Sequence, residues 1–262
     1  MPLTKRQRKE IQQASSRHGR RKSNLFLCEG VRACCEAWQQ QPQCVELVIA
    51  TKSAFERDDA ITEIAQQAQV RRLPIHTCSP DEMSELSSAD HPQGILFLCR
   101  RYEPADPRLP LPGLFALVLD RISDPGNLGT ILRTAWAAGV REVWMTRSST
   151  DPFGPKAVRA GMGAQFGLNI HTLEHDLEKT CEQLREYGVN HIWLSDVNRG
   201  TSCYDPDFKL KNSALVIGSE AHGAADVQAA SRVHIPMPGG AESLNAAQAA
   251  TILMFEAVRR QL

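Results

Sequence analysis

Short apolar runs alternate with helical patterns through the second half of this 262-residue chain, and that alternation restricts the fold more than any other feature. Leu117-Val118-Leu119, Val143-Trp144-Met145, Ile192-Trp193-Leu194, Leu215-Val216-Ile217 and His234-Ile235 read as buried strands. Helical spacing fits 128–138, 156–161, 177–187, 225–230 and 246–260. Strands that alternate with helices predict an α/β fold: a mostly parallel sheet with helices on both faces.

The stretch 100–113 carries four prolines and a glycine, which stop both kinds of element. We read 104–113 as an interdomain linker. Before it, apolar runs at 25–28, 45–50, 70–75 and 95–99 predict strands, with helices between them at 31–40, 54–67 and 81–86. Ser79-Pro80 supplies a capping hydroxyl followed by proline in the first turn. The chain thus divides into a small α/β domain, 1–103, and a larger one, 114–262.

Lysine plus arginine equal aspartate plus glutamate, so total charge identifies no partner. Its distribution is more informative. Residues 1–24 hold Lys5, Arg6, Arg8, Lys9, Arg17, Arg20, Arg21 and Lys22 against the single acid Glu10. Such an arm fits phosphate neutralisation on nucleic acid; a solvated terminus is the plainer alternative. A basic start also fits an organelle transit peptide, but Glu10 and the polar pattern run directly into a folded segment, which favours the cytoplasm. No apolar run is long enough to predict a membrane span. The eight cysteines sit largely in apolar runs, as in Leu25-Phe26-Leu27-Cys28, and read as buried thiols in a reducing compartment. No CxxC pair or Cys/His cluster has zinc spacing, so no metal site is expected.

Three segments are candidates for chemistry. The first, Asp120-Arg121-Ile122-Ser123-Asp124-Pro125-Gly126-Asn127-Leu128-Gly129-Thr130-Ile131-Leu132-Arg133, follows a strand and opens a helix. Asn127 stands where a cap belongs, and Arg133 falls off the apolar stripe. The second, Gly218-Ser219-Glu220-Ala221-His222-Gly223, ends a buried strand, where glycine permits a close approach to a ligand and Glu220 could hold a hydroxyl or a cation. Its spacing is neither a P-loop nor GxGxxG, which argues against a nicotinamide enzyme. The third runs from Ile235-Pro236-Met237 to Ser243-Leu244-Asn245 before a long helix, with Asn245 and Gln248 spaced as a variant capping box.

Taken together and in this order, the segments resemble the SpoU (TrmH) family of RNA ribose 2′-O-methyltransferases, of the SPOUT class. Asp124-Pro125-x-Asn127-x-Gly129-x-x-x-Arg133, Gly218-Ser219-Glu220 with Gly223, and Ile235-Pro236-Met237 with Ser243-Leu244-Asn245 carry the likeness. Lys156-Ala157-Val158-Arg159-Ala160 adds to it, and the resemblance covers essentially all of 114–262. Glu29-Gly30 and Pro92-Gln93-Gly94 resemble the small substrate-binding domain that often precedes this catalytic domain. Two positions depart from the family pattern: Ala221 and Gly161 stand where glycine and serine are usual.

The resemblance implies a deep trefoil knot, S-adenosylmethionine as cofactor and a homodimer. It implies ribosomal RNA as the substrate, with a ribose 2′-hydroxyl as methyl acceptor. By motif position, Gly218, Ile235, Met237 and Leu244 hold the cofactor, and Arg133, Asn127, Glu220, Ser243 and Asn245 form the catalytic set. Lys156 and Arg159 join Lys5, Arg6, Arg17, Arg20, Arg21 and Lys22 as candidate RNA contacts. Arg133 is read as an electrostatic stabiliser rather than a base, because guanidinium stays protonated. Base methylation, a transfer RNA substrate, and an RNA-binding protein without catalysis remain as alternatives, the last favoured by Ala221.

Overall fold

The computed structural model describes residues 2–102, 104, 115–219 and 223–261. Nearly all of the proline-rich linker therefore lies outside the described residues. The chain opens with helices α1 (Lys5–Ser15) and α2 (Arg17–Ser23), followed by β1 (Leu25–Glu29), α3 (Val31–Gln40), β2 (Val45–Thr51), α4 (Lys52–Arg57), α5 (Asp59–Val70), β3 (Ile75–Cys78), α6 (Pro80–Leu86) and β4 (Ile95–Arg100). It continues through β5 (Ala116–Asp120), α7 (Pro125–Ala137), β6 (Glu142–Met145), α8 (Pro155–Gly161), β7 (Asn169–Thr172), α9 (Leu177–Glu186), β8 (His191–Asp196), β9 (Thr201–Ser202), β10 (Ser213–Gly218), β11 (Ser231–His234) and α10 (Ala246–Gln261).

Contacts divide the chain into two units, Met1–Tyr102 with Asp151–Gly167, and Glu103–Thr150 with Leu168–Leu262. The first unit holds a mixed sheet in the order β1-β4-β2-β3, with only β2 and β3 parallel. The sequence assigns 151–167 to the later domain, yet its side chains pack in the first unit. Arg20 Nε lies 2.7 Å from Asp151 Oδ2, and the Phe26 ring packs in tilted contact with Phe153 and Phe166, ring centroids 4.9 and 5.5 Å apart. Arg159 pairs with buried Glu29 at 3.5 Å and bonds Ser88.

The basic arm is two helices rather than an extended tail. Thr4 and Gln7 form a reciprocal capping box on α1, while Leu3, Ile11 and Ala14 are buried against β1, β2 and β4. Arg20 is nearly buried and also donates to the carbonyls of Ala14 and Ser15, so it acts as a structural cation. Lys5, Arg17 and Lys22 stay exposed. The strand expected at 70–75 is displaced to β3. Val70 ends α5 and is exposed, and Asp58 supplies a second cap that divides the helix expected at 54–67 in two.

The second unit is a seven-stranded sheet, parallel throughout, in the order β7-β6-β5-β10-β8-β11-β9. Leu177, Cys181 and Leu184 of α9 cover one face, against Ala116, Val118, Trp144, Ile192, Leu194 and Val216. Helices α7 and α10 pack together, and α10 lies against β10. The chain leaves β5 toward one edge and later fills the other from β8 onward. β5 and β10 therefore sit side by side where the winding reverses, the usual ligand crevice of such sheets. The helix expected at 225–230 is absent. Ala229 turns into the left-handed region (φ 58°), which breaks the helical backbone within that stretch. Burial pushes the Cys181 thiol beneath α9 up to about 12, so it stays protonated.

Candidate active site

The carboxyl ends of β5, β8, β10 and β11 converge, and each feeds a loop that shapes one cavity or its surroundings. Gly218, the last residue of β10, is required by its neighbours. A Cβ there would lie 1.9 Å from the Ala224 nitrogen and 2.0 Å from the Gly223 carbonyl carbon. Only a bare backbone lets the returning chain come so close. The Gly223 N–H donates to the Ser219 carbonyl at 2.8 Å, closing a tight turn after the strand. Glu220, Ala221 and His222, between Ser219 and Gly223 in sequence, lie outside the described residues.

The cavity has a volume of about 300 Å³ and lies between these loops. Ile217, Gly218, Ser219, Gly223 and Ala224 form one wall; Ile235, Met237, Ser243, Leu244, Ala246 and Ala249 form another. The second and third motifs thus meet at one cavity. Gly218, Ile235, Met237, Ser243 and Leu244 all line the cavity.

The first motif reaches this region through α7. Asp124 caps the helix, accepting from the Asn127 N–H at 2.7 Å, so Asn127 is not the cap that the sequence suggested. Pro125 at the first helical position suits that arrangement, because it lacks the N–H that a cap would have to satisfy. The Asn127 side chain faces α10 instead: Asn245 Nδ2 donates to Asn127 Oδ1 at 3.0 Å. Asn245 is the actual cap of α10, its Oδ1 accepting from Ala247 N at 2.9 Å and Gln248 N at 3.3 Å. Thr134 and Thr251 hydroxyls, 3.3 Å apart, join the same two helices further along. Arg133 is exposed on α7, roughly 9 Å along the axis from Asn127 at 1.5 Å per residue. It does not line the cavity.

Three charged residues at the cavity were not singled out from the sequence: Asp196, Arg199 and Arg232. Asp196 closes β8 and begins an Asx turn, its Oδ1 accepting from Asn198 N and Arg199 N at 3.2 and 3.1 Å. Burial works to raise its carboxyl. The backbone bonds from Asn198 and Arg199 and the Arg232 guanidinium outweigh that, holding it below the ordinary carboxylate value. Arg232, bonded to Asp226 and Asp196, is correspondingly raised. The available signal was a strand ending in Asp196 before Val197-Asn198-Arg199-Gly200, the same strand-then-turn pattern that marked the other loops. The cavity therefore joins an apolar side, bare backbone at Gly218 and a charged rim. That donor set fits a ligand with an aromatic base at one end and a zwitterionic amino acid at the other. Among the described residues, no group of His, Cys, Asp and Glu side chains is arranged to hold a metal.

The SpoU rRNA Methylase family matches residues 114–255, more than half of the sequence. This chain belongs to that family. The SpoU region is preceded by a match to the RNA 2′-O ribose methyltransferase substrate-binding family at residues 27–105. A Bacillus subtilis relative, the 23S rRNA (guanosine(2553)-2′-O)-methyltransferase RlmP, is 29% identical over 94% of each chain. An AdoMet-bound rRNA methyltransferase from Sinorhizobium meliloti superposes with a TM-score of 0.82 at 27% identity, covering 100% of this chain and 97% of that one. The SpoU methyltransferase AviRb from Streptomyces viridochromogenes, in complex with the cofactor AdoMet, gives 0.81 at 26% identity, covering 98% and 99%.

Proposed function

We propose that this SpoU protein transfers a methyl group from S-adenosylmethionine to a ribose 2′-hydroxyl of ribosomal RNA. The observation that carries the reading is the joining of the three motifs: Gly218, Ile235, Met237, Ser243 and Leu244 line one cavity, and Asn245 beside it bonds Asn127. S-adenosylmethionine supplies a methyl group already activated by a positive sulfur. The protein's work is then to hold, orient and exclude water. Gly218 and the apolar wall present backbone and side chains to an adenine-like ring. Asp196, Arg199 and Arg232 offer both charges to the amino-acid end.

Attack requires negative charge to build on the 2′-oxygen, and a fixed cation stabilises that charge. Arg133 is the candidate, keeping its own proton while the 2′-hydroxyl proton passes to a phosphate oxygen or water, with Asn127 orienting it or the ribose. Glu220 and Ser243 complete the proposed catalytic set. The reading also takes the active form to be a homodimer, the catalytic domain to be knotted, and the location to be cytoplasmic, in keeping with eight free cysteines. Light scattering of the purified protein checks the dimer, and a monomeric mass rejects it. Fractionation of cells expressing the tagged chain checks the location; recovery in an organelle rejects the cytoplasm.

The direct test combines Arg133→Ala with mapping of the product. The variant is expected to bind S-adenosylmethionine within about twofold of wild type and to lose at least about 100-fold in turnover, the scale of removing one transition-state donor. Near-normal turnover ends the Arg133 assignment. Alkaline hydrolysis of wild-type product separates ribose from base methylation, because only 2′-O-methylation blocks cleavage at that linkage. A hydrolysable linkage at the modified nucleotide replaces the ribose reading with the base one.

A further inference from the structure

Asp120 ends β5 beside Gly218 and is 2% exposed. A buried carboxylate is costly unless its oxygens are bonded, and here both are. Oδ1 accepts from the Thr146 hydroxyl at 2.8 Å, just beyond β6. Oδ2 accepts from Arg121 Nε at 3.1 Å and from Ala225 N at 3.3 Å. One carboxylate therefore ties the ends of two strands to the chain that leaves the cavity wall at Ala224.

Arg121 makes a second tie. Its backbone is left-handed (φ 56°), which costs a residue with a Cβ roughly 1 kcal/mol. That turn folds the guanidinium back over Asp120, Nη2 to Oδ2 being 3.0 Å. The same nitrogen donates to the Gly223 carbonyl at 3.3 Å. Gly223 and Ala224 line the cavity and lie against Gly218 with no room for a methyl group between them. A small outward shift of this loop would widen the cavity and would stretch the bonds from Arg121 to the Gly223 carbonyl and from Ala225 N to Asp120. The pair carries no net charge, so its action on a cationic cofactor is geometric.

We propose that Asp120 and Arg121 are positioning residues for S-adenosylmethionine, a charged staple between the first-motif strand and the second-motif loop that sets the width of the cofactor cavity. The proposal rests on the reading of that cavity as the cofactor site. Arg121→Gly separates positioning from mere stabilisation. It removes the staple and relieves the left-handed strain, which offsets part of the cost of leaving buried Asp120 without its cation, so the melting temperature should fall by less than loss of the ion pair alone would lower it.

The test measures S-adenosylmethionine affinity by titration calorimetry, KM for cofactor and for RNA, and melting temperature, for wild type, Arg121→Gly, Arg121→Lys and Asp120→Asn. We expect Arg121→Gly to weaken cofactor binding by about tenfold, the scale of removing a charge-assisted hydrogen bond, with KM for RNA moving less than twofold. Arg121→Lys keeps the charge and should recover part of the loss. Asp120→Asn should follow Arg121→Gly in affinity. Cofactor affinity in Arg121→Gly equal to wild type overturns the staple, and so does a loss that merely follows melting temperature across the series. A wild-type protein that binds no S-adenosylmethionine fails the cavity reading itself and removes the proposal with it. Wild-type binding with unaffected variants removes only the staple.

Discussion

Asn245 uses both ends of one amide. Its oxygen caps α10, and its nitrogen holds Asn127 of α7. The two roles can be separated because serine caps as well as asparagine but is too short to reach across. Asn245→Ser should keep stability within about 0.5 kcal/mol and reduce turnover, whereas Asn245→Ala should lose about 1 kcal/mol as well. Thermal melts alongside single-turnover assays read the two effects. If the serine variant turns over like wild type, the Asn127 link has no part in the reaction. The sequence placed both asparagines at the site but misassigned the cap on α7. Asn and Asp are nearly equal as caps, and only the observed bond from Asn127 N to Asp124 decides between them. Arg121 and Asp120 lay inside the first motif, yet nothing in spacing reveals that a left-handed arginine folds back on its neighbour.

At the scale of elements, α10 ends in a clamp. Glu256 is buried and receives Arg259 at 2.7 and 2.9 Å and Arg260 at 2.8 Å. Arg260 extends the link to the carbonyls of Cys203, Asp205 and Phe208, on the chain that leads into β10. The Arg259 hydrogen bond leads in lowering the Glu256 carboxyl from its ordinary 4.5 to about 2; burial opposes it and Arg260 assists. A carboxyl lowered by folding stabilises the native state above its unfolded value and loses that contribution as pH falls toward the folded one. Wild type should therefore melt above Glu256→Gln at neutral pH, with the gap closing between about pH 4.5 and about pH 2. A gap that stays constant through that window would show that the charge of Glu256 is not what the clamp uses. The central strands of this sheet were legible because each is a continuous apolar run. β7 and β9 were not: Asn169-Ile170-His171-Thr172 buries little, and Thr201-Ser202 is only two residues long. The rim of the cavity was hidden for a different reason. Asp196 and Arg232 are 36 residues apart and meet only through the pairing of β8 with β11.

For the whole molecule the question is how a chain of zero net charge holds a polyanion. The excess of cations in 1–24 is not a loose arm, since Leu3, Ile11 and Ala14 anchor it in the core of the first unit. Deleting it would remove core residues together with charge, so a truncation cannot separate RNA contact from folding. Substitution can. Arg20 and Arg159 hold Asp151 and Glu29 in place, and Arg6 is paired with Glu10 at 2.8 Å. Lys5, Arg17 and Lys22 are exposed on α1 and α2. Their joint replacement by glutamine should leave the melting temperature within a degree or two, as surface changes usually do. Binding of a ribosomal RNA fragment should weaken, and the slope of log affinity against log salt should become shallower by about 2, somewhat under one unit for each phosphate no longer neutralised. Fluorescence anisotropy across about 50 to about 200 mM salt reads that slope. A weaker affinity with an unchanged slope would mean that these cations do not meet phosphate, and an unchanged affinity would place the RNA on another face. Lysine and arginine are thus divided by location more than by type. Those bonded inside the first unit hold it together, and those left in water are available to the nucleic acid.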